Sequence, residues 1–333
     1  MKNGKIDFVI TWVDGNDKEW QEEKSKYQQT DGDDNRVVRY RDFDNLKYWF
    51  RAAEKYASWV NKIYFVTWGH VPEWLNTEYS KIKVVNHKDF IPEEYLPTFS
   101  SHTIELNLHR IKGLSEKFVY FNDDIFINDF VKPTDFFKND LPCDDCVETA
   151  LLPMGDTPQF ANITANDIFY INKNFNKRSV LCKNIFKYIN LKYGINNLRT
   201  ICLLPFPKYS LFKNSHICNA YLKSTFNEVW QKEYEVLNNT CLHKFRNSDD
   251  VNQYIFRYWQ FVTGKFMPRS TRFGKGFELN NNGNGGVISA IGHSKLKCIC
   301  INDSDTNLNF DEVKSIINNE LELKYPEKSK FEK

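Results

Sequence analysis

Short β-rich runs alternate with helix-period segments through the first 128 residues, and no other feature of the chain limits its fold so tightly. Ile6 to Thr11 is a run of β formers, and from Asp44 the apolar residues Leu46, Trp49, Phe50, Ala53 and Ala57 recur at helical spacing. Lys62 to Trp68 and Ile82 to Val85 read as further strands, a second helical pattern opens at Ser101, and Phe118 to Phe121 makes a fourth strand. Such alternation predicts an α/β fold, a Rossmann-like and mostly parallel sheet flanked by helices. Sheets of that kind bind ligands beyond the carboxyl ends of their strands.

Two acidic positions fall at such ends. Asp14-Gly15 follows the first strand, and Asn122-Asp123-Asp124 interrupts the apolar run "FVYFNDDIFI" after the fourth. An ionised carboxylate that loses water needs a partner, and paired acids at a strand end suit a hard cation such as Mg²⁺ or Mn²⁺. A solvated turn is the plainer reading of the pair alone. Ile125-Phe126-Ile127 weighs against it, because apolar chain on both sides brings core rather than bulk water up to the acids.

Beyond the first 128 residues, 129–214 is rich in Asn, Lys and Phe and reads as an insertion or lid-bearing region; 215–305 completes the core, and 306–333 forms a terminal helix and tail. Ser248 or a neighbouring Asp is expected to cap a helix, "NNNGNGG" is a loop, and Lys297 to Ile301 is a strand ending in Asn302-Asp303. The last helix starts at Asn309, with Glu312 in a capping-box position, and stops before Pro326. "HKFRNSDD" sets His243, Lys244 and Arg246 just before the expected helix start, where backbone N–H groups and a guanidinium suit a phosphate; simple capping explains it equally well. His102, Glu105 and His109 stand at i, i+3 and i+7, opposite Ile104, Leu108 and Ile111, and a solvent-facing stripe is the default for them.

With 333 residues and 41% apolar content, the chain can bury one large core or two modest ones. Its 45 basic and 43 acidic residues leave +2, so nucleic acid is not an expected partner. No apolar stretch approaches the roughly 18–20 residues of a membrane span, and "MKNGKIDFVITWVDG" carries Asp7 and Asp14 where a signal peptide would be apolar. A cytoplasmic protein is expected, at most peripherally attached to the inner face of the membrane through its "KSKF" tail, for which solvation is the plainer reading. The eight cysteines read as reduced thiols. Zinc between Cys143/Cys146 and Cys298/Cys300 is disfavoured by their separation and by the C-x-C spacing.

Four separated blocks resemble the Stealth family, which includes bacterial capsular-polysaccharide phosphotransferases and the lysosomal-enzyme N-acetylglucosamine-1-phosphotransferase. "IDFVITWVDGNDKEW" is similar to the first block; the stretch from "RYRDFDNLKYWF" to "HVPEWL", together with "FSSHTIELNLHRIKGLSEKFVYFNDDIFI", is similar to the second. "HICNAYLKSTFNEVW" and "HKFRNSDDVNQYIFRYWQF" resemble the third, and "KCICIND" the fourth. The resemblance implies transfer of a sugar-1-phosphate from a nucleotide diphosphosugar, usually a UDP-sugar, to a glycan hydroxyl with release of the nucleoside monophosphate. It implies donor binding by Asp14, Gly15, Arg41, Asp42, Arg110 and Ser101, and metal binding by Asp123 and Asp124 with help from Asn302 or Asp303. His216 is the implied base and Arg246 the phosphate clamp, with His243, Glu105 and His109 as further catalytic candidates.

The chain departs from the family at His102, where proline is common, and at Trp68-Gly69-His70, where a D-G-Q-like turn is usual. The expected chemistry is in-line attack of an acceptor hydroxyl on the donor's sugar-proximal phosphorus. Two alternatives stand beside it: a metal-dependent glycosyltransferase that releases UDP, and a non-catalytic carbohydrate-binding protein whose aromatic residues stack on sugars.

Overall fold

The computed structural model describes residues 4–27, 40–152, 158–303 and 307–333. Its site-building strands are β1 (Ile6–Thr11), β2 (Ile63–Thr67), β3 (Ile82–Asn86), β4 (Lys117–Phe121), β5 (Ile125–Ile127), β6 (Asn219–Leu222), β7 (Gly274–Glu278) and β8 (Cys298–Asn302). The central sheet has the order β6-β4-β1-β2-β3. β1 to β4 are mutually parallel, and β6 joins β4 antiparallel at the edge. The expected α/β class with a mostly parallel sheet is therefore what the chain forms.

Both faces of the sheet are dry, which explains why its strands read as continuous apolar runs. In β1, Phe8 and Ile10 join one core while Val9 joins the other, and in β4 Val119 and Phe121 oppose Phe118 and Tyr120 in the same way. The helix Leu46–Tyr56 covers the first face, burying Leu46, Trp49, Phe50 and Ala53. Trp49 also donates its Nε1–H to the Ile125 carbonyl at 3.0 Å. On the other face, Ile168, Ile171, Val180 and Tyr188 from within 129–214 pack in one core with Val9 and Tyr120. Each such apolar side chain contributes about 1.5–3 kcal/mol on burial.

A second sheet, β7-β8-β5, abuts the first, with β8 parallel to β7 and antiparallel to β5. The two halves of "FVYFNDDIFI" thus belong to different sheets, β4 and β5, and the paired acids form the turn between them. Ile125 N–H closes that turn on the Asn122 carbonyl at 3.1 Å.

Three local expectations are corrected. The tail is solvated only in part: Lys328 and Lys330 are exposed, but Phe331 is buried against Phe50 and Tyr79, and Glu332 grips Arg51 at 2.9 and 2.8 Å. The helix expected from Ser248 starts only at Tyr254, because Asp250 is drawn inward to two histidines instead of capping it. The terminal helix runs Phe310–Lys324, with Asn309 at its start but no side-chain cap, since the Asn309 N–H is taken by Asn281 Oδ1. Among the described residues, no helix is long and apolar enough to cross a membrane.

Candidate active site

The β4–β5 turn holds the first group of polar residues. Asp124 Oδ2 accepts the Cys300 thiol at 3.1 Å and lies 3.7 Å from His216 Nε2, while His216 Nδ1 is 3.5 Å from Cys300 Sγ. One ligand atom from each of Asp124, His216 and Cys300 falls within 4.8 Å of the others. The Asp124 carbonyl is fixed by the Ile301 N–H at 2.9 Å. His216 stands at φ 46°, a left-handed conformation that costs a non-glycine residue about 1–3 kcal/mol and is therefore held by its surroundings.

Asp123 opens to solvent on one side and is crowded by protein on the others. Partial loss of hydration first, and then the charges of Asp124 and Asp42, raise its carboxyl, an effect that solvent on its open side screens. Asp42 is itself raised by burial, although Trp12 Nε1–H and the Asp44 N–H donate to it at 3.1 and 2.7 Å. Asp124 Oδ1 and Asn122 Oδ1 are buried without a protein partner among the described residues. Mutually repelling carboxylates and unpartnered oxygens are the kind of donors that suit a divalent cation, and the ligand atoms that converge here belong to Asp124, His216 and Cys300.

The expected helpers of that cation are engaged elsewhere. Asn302 donates Nδ2–H to both oxygens of Glu278, at 2.8 and 2.7 Å. Asp303 takes Arg41 as a two-point ion pair, with Nε and Nη2 at 3.0 and 3.2 Å. His216 and Cys300 stand beside Asp124 in their place. Cys300 was accessible to sequence reasoning through β-strand alternation, which sends Cys298 and Cys300 to one face. Its meeting with Asp124 depends on pairing across 176 residues of sequence and left no local signal. The zinc pairing of Cys143/Cys146 with Cys298/Cys300 does not form: Cys298 meets Cys218 at 3.4 Å, and all eight thiols are free.

A second group lies on the other side of β4. Arg246 Nη2 donates to Ser101 Oγ at 2.7 Å. Glu105 accepts from Tyr120 Oη at 3.3 Å, and Tyr120 meets Thr11 Oγ1 at 3.1 Å, so this cluster reaches back to β1. Burial pushes the Glu105 carboxyl up to about 7, against the opposing pull of Arg246. Tyr254, buried at the start of its helix, is within electrostatic reach of both Glu105 and Asp124 and so stands between the two groups.

Asp250 bridges two histidines, His102 Nδ1 at 2.8 Å and His243 Nδ1 at 2.7 Å. Burial raises its carboxyl, but these two bonds outweigh that and hold it below the usual range. His102 is thus a partner of the third block. Arg246 is not at a helix amino terminus, because the chain stays irregular from Asn247 to Gln253. The stripe His102, Glu105, His109 is buried rather than wet. It is also broken, since the α-helix ends at Asn107 and His109 belongs to a 3-10 turn. His109 packs against Phe226 and Trp230, with burial lowering its pKa to about 3, and the exposed Arg110 lies over Trp230 at 4.9 Å. The structure does not bring these two together with the other candidates.

The first strand's loop completes the arrangement. The Asp14 N–H donates to His70 Nε2 at 2.8 Å, so the departure at His70 anchors the Asp14-Gly15 loop. A Cβ on Gly15 would lie 2.0 Å from the Tyr40 carbonyl oxygen, which only glycine permits.

Residues 4–31 match Stealth protein CR1, conserved region 1, and residues 39–143 match Stealth protein CR2, conserved region 2. The capsular polysaccharide phosphotransferase WcwK of Streptococcus pneumoniae is 48% identical over 337 residues, covering 100% of both chains. The exopolysaccharide phosphotransferase cps2G of Lactiplantibacillus plantarum is 42% identical, covering 98% of this chain and 96% of its own. The receptor polysaccharide phosphotransferase WefC of Streptococcus oralis is 36% identical, covering 98% and 99%. Among solved structures, the galactosyltransferase LgtC aligns over 94% of this chain and 95% of its own, at 11% identity and TM-score 0.37. Mouse xyloside xylosyltransferase 1 aligns over 91% and 98%, at 12% identity and TM-score 0.38. Those two likenesses are loose, and the sheet order above carries the fold assignment. With both conserved regions in sequence and relatives of this identity along its whole length, the chain belongs to the Stealth protein family.

Proposed function

We propose that this chain, a transferase like its phosphotransferase relatives, moves a sugar-1-phosphate from a UDP-sugar to a glycan hydroxyl, forming a phosphodiester and releasing UMP. The observation that carries this reading is the β4–β5 turn, where Asp124 meets His216 and Cys300 beside the raised Asp123 carboxyl. Asp123 and Asp124 would hold Mg²⁺ or Mn²⁺ there, and the chemistry gained is neutralisation of the donor's diphosphate charge.

The chain's own residues supply the rest. Asp14, Gly15, Arg41 and Asp42 line the carboxyl ends of β1 and its neighbours, where a nucleotide-sugar is held. Arg246, braced by Ser101, aims a guanidinium at the transferring phosphoryl group, whose charge grows in the transition state. His216, fixed in its strained backbone by the Asp124 and Cys300 contacts, takes the acceptor's hydroxyl proton on its ring. Glu105, its carboxyl raised by burial against the pull of Arg246, lies in the same cluster. The oxygen–phosphorus bond to the acceptor forms as the bond to the UMP oxygen breaks, and UMP leaves with that electron pair.

The test is incubation with a panel of UDP-sugars, Mg²⁺ or Mn²⁺ and an oligosaccharide primer, followed by phosphorus NMR of the product and chromatography of the nucleotide. A phosphodiester signal with UMP supports the reading, and Asp124→Ala should lower the rate by roughly 10²–10³-fold or more with circular dichroism unchanged. UDP without a phosphodiester would mean ordinary glycosyl transfer. Glycan capture without nucleotide turnover would mean a binding protein.

A further inference from the structure

Between Asp167 and Glu228 the chain carries ten lysines and arginines and no carboxylate, in a protein whose overall charge is only +2. Three of the ten are balanced from outside the stretch: Lys177 by Glu148 at 2.7 Å, Lys173 by Glu233 at 2.9 Å and Lys213 by Asp145 at 3.6 Å. Arg178, Lys183, Lys192, Arg199 and Lys208 are exposed, and none of the five forms an ion pair among the described residues. Lys192 and Lys208 donate to the Pro268 and Asn172 carbonyls, bonds that fix their direction and leave the charge uncompensated.

The same segment displays its large apolar side chains to solvent. Phe186 is 84% exposed, Leu191 97%, Ile195 81% and Leu198 58%, all within 13 residues of one another and followed by exposed Ile201 and Phe206. All but Phe206 stand on three consecutive short helices, Lys177–Tyr188, Leu191–Asn196 and Asn197–Leu203. Isolated exposed apolar residues are ordinary; six in one short stretch interleaved with unpaired cations are not. The underside is well anchored, for Val180, Tyr188, Tyr193 and Thr200 of these helices are buried in the body. The exposed side chains are therefore what a firmly held element presents outward, not the consequence of a loosely packed one.

We infer that the face formed by residues 178–208 is a docking surface for an anionic phospholipid bilayer. Lipid headgroups would pair with the exposed cations, and Phe186, Leu191, Ile195 and Leu198 would enter the boundary between headgroups and acyl chains. A protein partner could cover the apolar residues, but a surface of one sign over 60 residues is complementary to a uniformly negative sheet. This surface moves the membrane contact away from the chain's last residues, which are packed on the core. It also stands apart from the transferase reading, since it involves no residue of the candidate active site.

Co-sedimentation of the full chain with vesicles tests it. One set is phosphatidylcholine alone and the other phosphatidylcholine with phosphatidylglycerol, each at low and high salt. Binding should require phosphatidylglycerol and weaken with salt. Lys183→Glu with Arg199→Glu should lower partitioning by roughly tenfold or more, as each cation near the surface is worth about a several-fold change. Leu191→Ser with Ile195→Ser should lower it comparably, and because both positions are exposed, circular dichroism and melting should match the parent protein. Absence of binding to phosphatidylglycerol vesicles would overturn the inference. So would either double variant that binds like the parent, or one that dissociates an oligomer in sedimentation velocity while binding vesicles unchanged.

Discussion

Replacing Glu105 by glutamine should change how stability depends on pH more than it changes stability at any single pH. Glu105 is 5% exposed, accepts only long bonds from Tyr120 Oη at 3.3 Å and the Gln253 N–H at 3.5 Å, and has its carboxyl raised from 4.5 to about 7, chiefly by burial. A carboxyl whose folded pKa lies above its unfolded one is fully stabilising below the unfolded value, and that contribution is lost as pH rises through the folded value. Between 4.5 and about 7, then, the folded protein keeps a proton that the unfolded chain has released, and stability falls by about 1.4 kcal/mol per pH unit, close to 3 kcal/mol in all. In a chain this size that is on the order of 5 °C in Tm. Glutamine keeps the shape and hydrogen-bonding capacity and removes the titration. Thermal melts of parent and Glu105→Gln from about pH 5 to about pH 8 should therefore diverge, the parent losing about 3 kcal/mol relative to the variant as pH rises. Asp123 and Asp145 titrate in both proteins and cancel in the difference. Parallel profiles would show that Glu105 is not held protonated, and the account of its burial would be wrong.

Two further outcomes test other parts of the molecule. Asp144→Asn should cost about 3–5 kcal/mol in urea unfolding, because Arg257 is bound by Asp144 at 2.7 and 2.9 Å and would be left buried beside only the more distant Asp145; a midpoint near the parent's would refute this. Gly15→Ala places a Cβ 2.0 Å from the Tyr40 carbonyl and should displace the loop at a cost of about 1–3 kcal/mol, weakening UDP-sugar binding in calorimetry while the sheet melts almost as before; unchanged affinity would remove that loop from the donor site.

The strands were legible because a sheet covered on both faces needs every residue apolar. Ile6–Thr11 and Lys117–Phe121 were visible to within a residue on that ground. The turn at Asp123 and Asp124 was legible because two adjacent acids break the apolar run between Phe121 and Ile125. What failed was the assignment of polar residues whose partners are distant. Ser248 or a neighbouring Asp read as a helix cap, yet the Asp250 carboxylate is committed to His102, 148 residues away. Asn302 and Asp303 read as helpers of the metal, and no local pattern announced their contacts with Glu278 and Arg41, across 24 and 262 residues. Period alone put His109 on one stripe with Glu105, and a tightened turn after Asn107 broke the period. The tail's lysines are exposed as expected, but its anchoring was not legible, because Phe331 and Glu332 find Phe50 and Arg51 only in the folded chain.

The turn between β4 and β5 also sets an order of assembly. Its backbone is fastened by Ile301 and its Asp124 side chain by Cys300, both on β8, some 176 residues further along the chain. A growing polypeptide that has completed the parallel sheet still has Asp124 untethered, and gains the finished centre only when β8 slides in beside β5. A product shortened before Cys298 would keep the strands of the parallel sheet and lose the contacts that hold this turn in place.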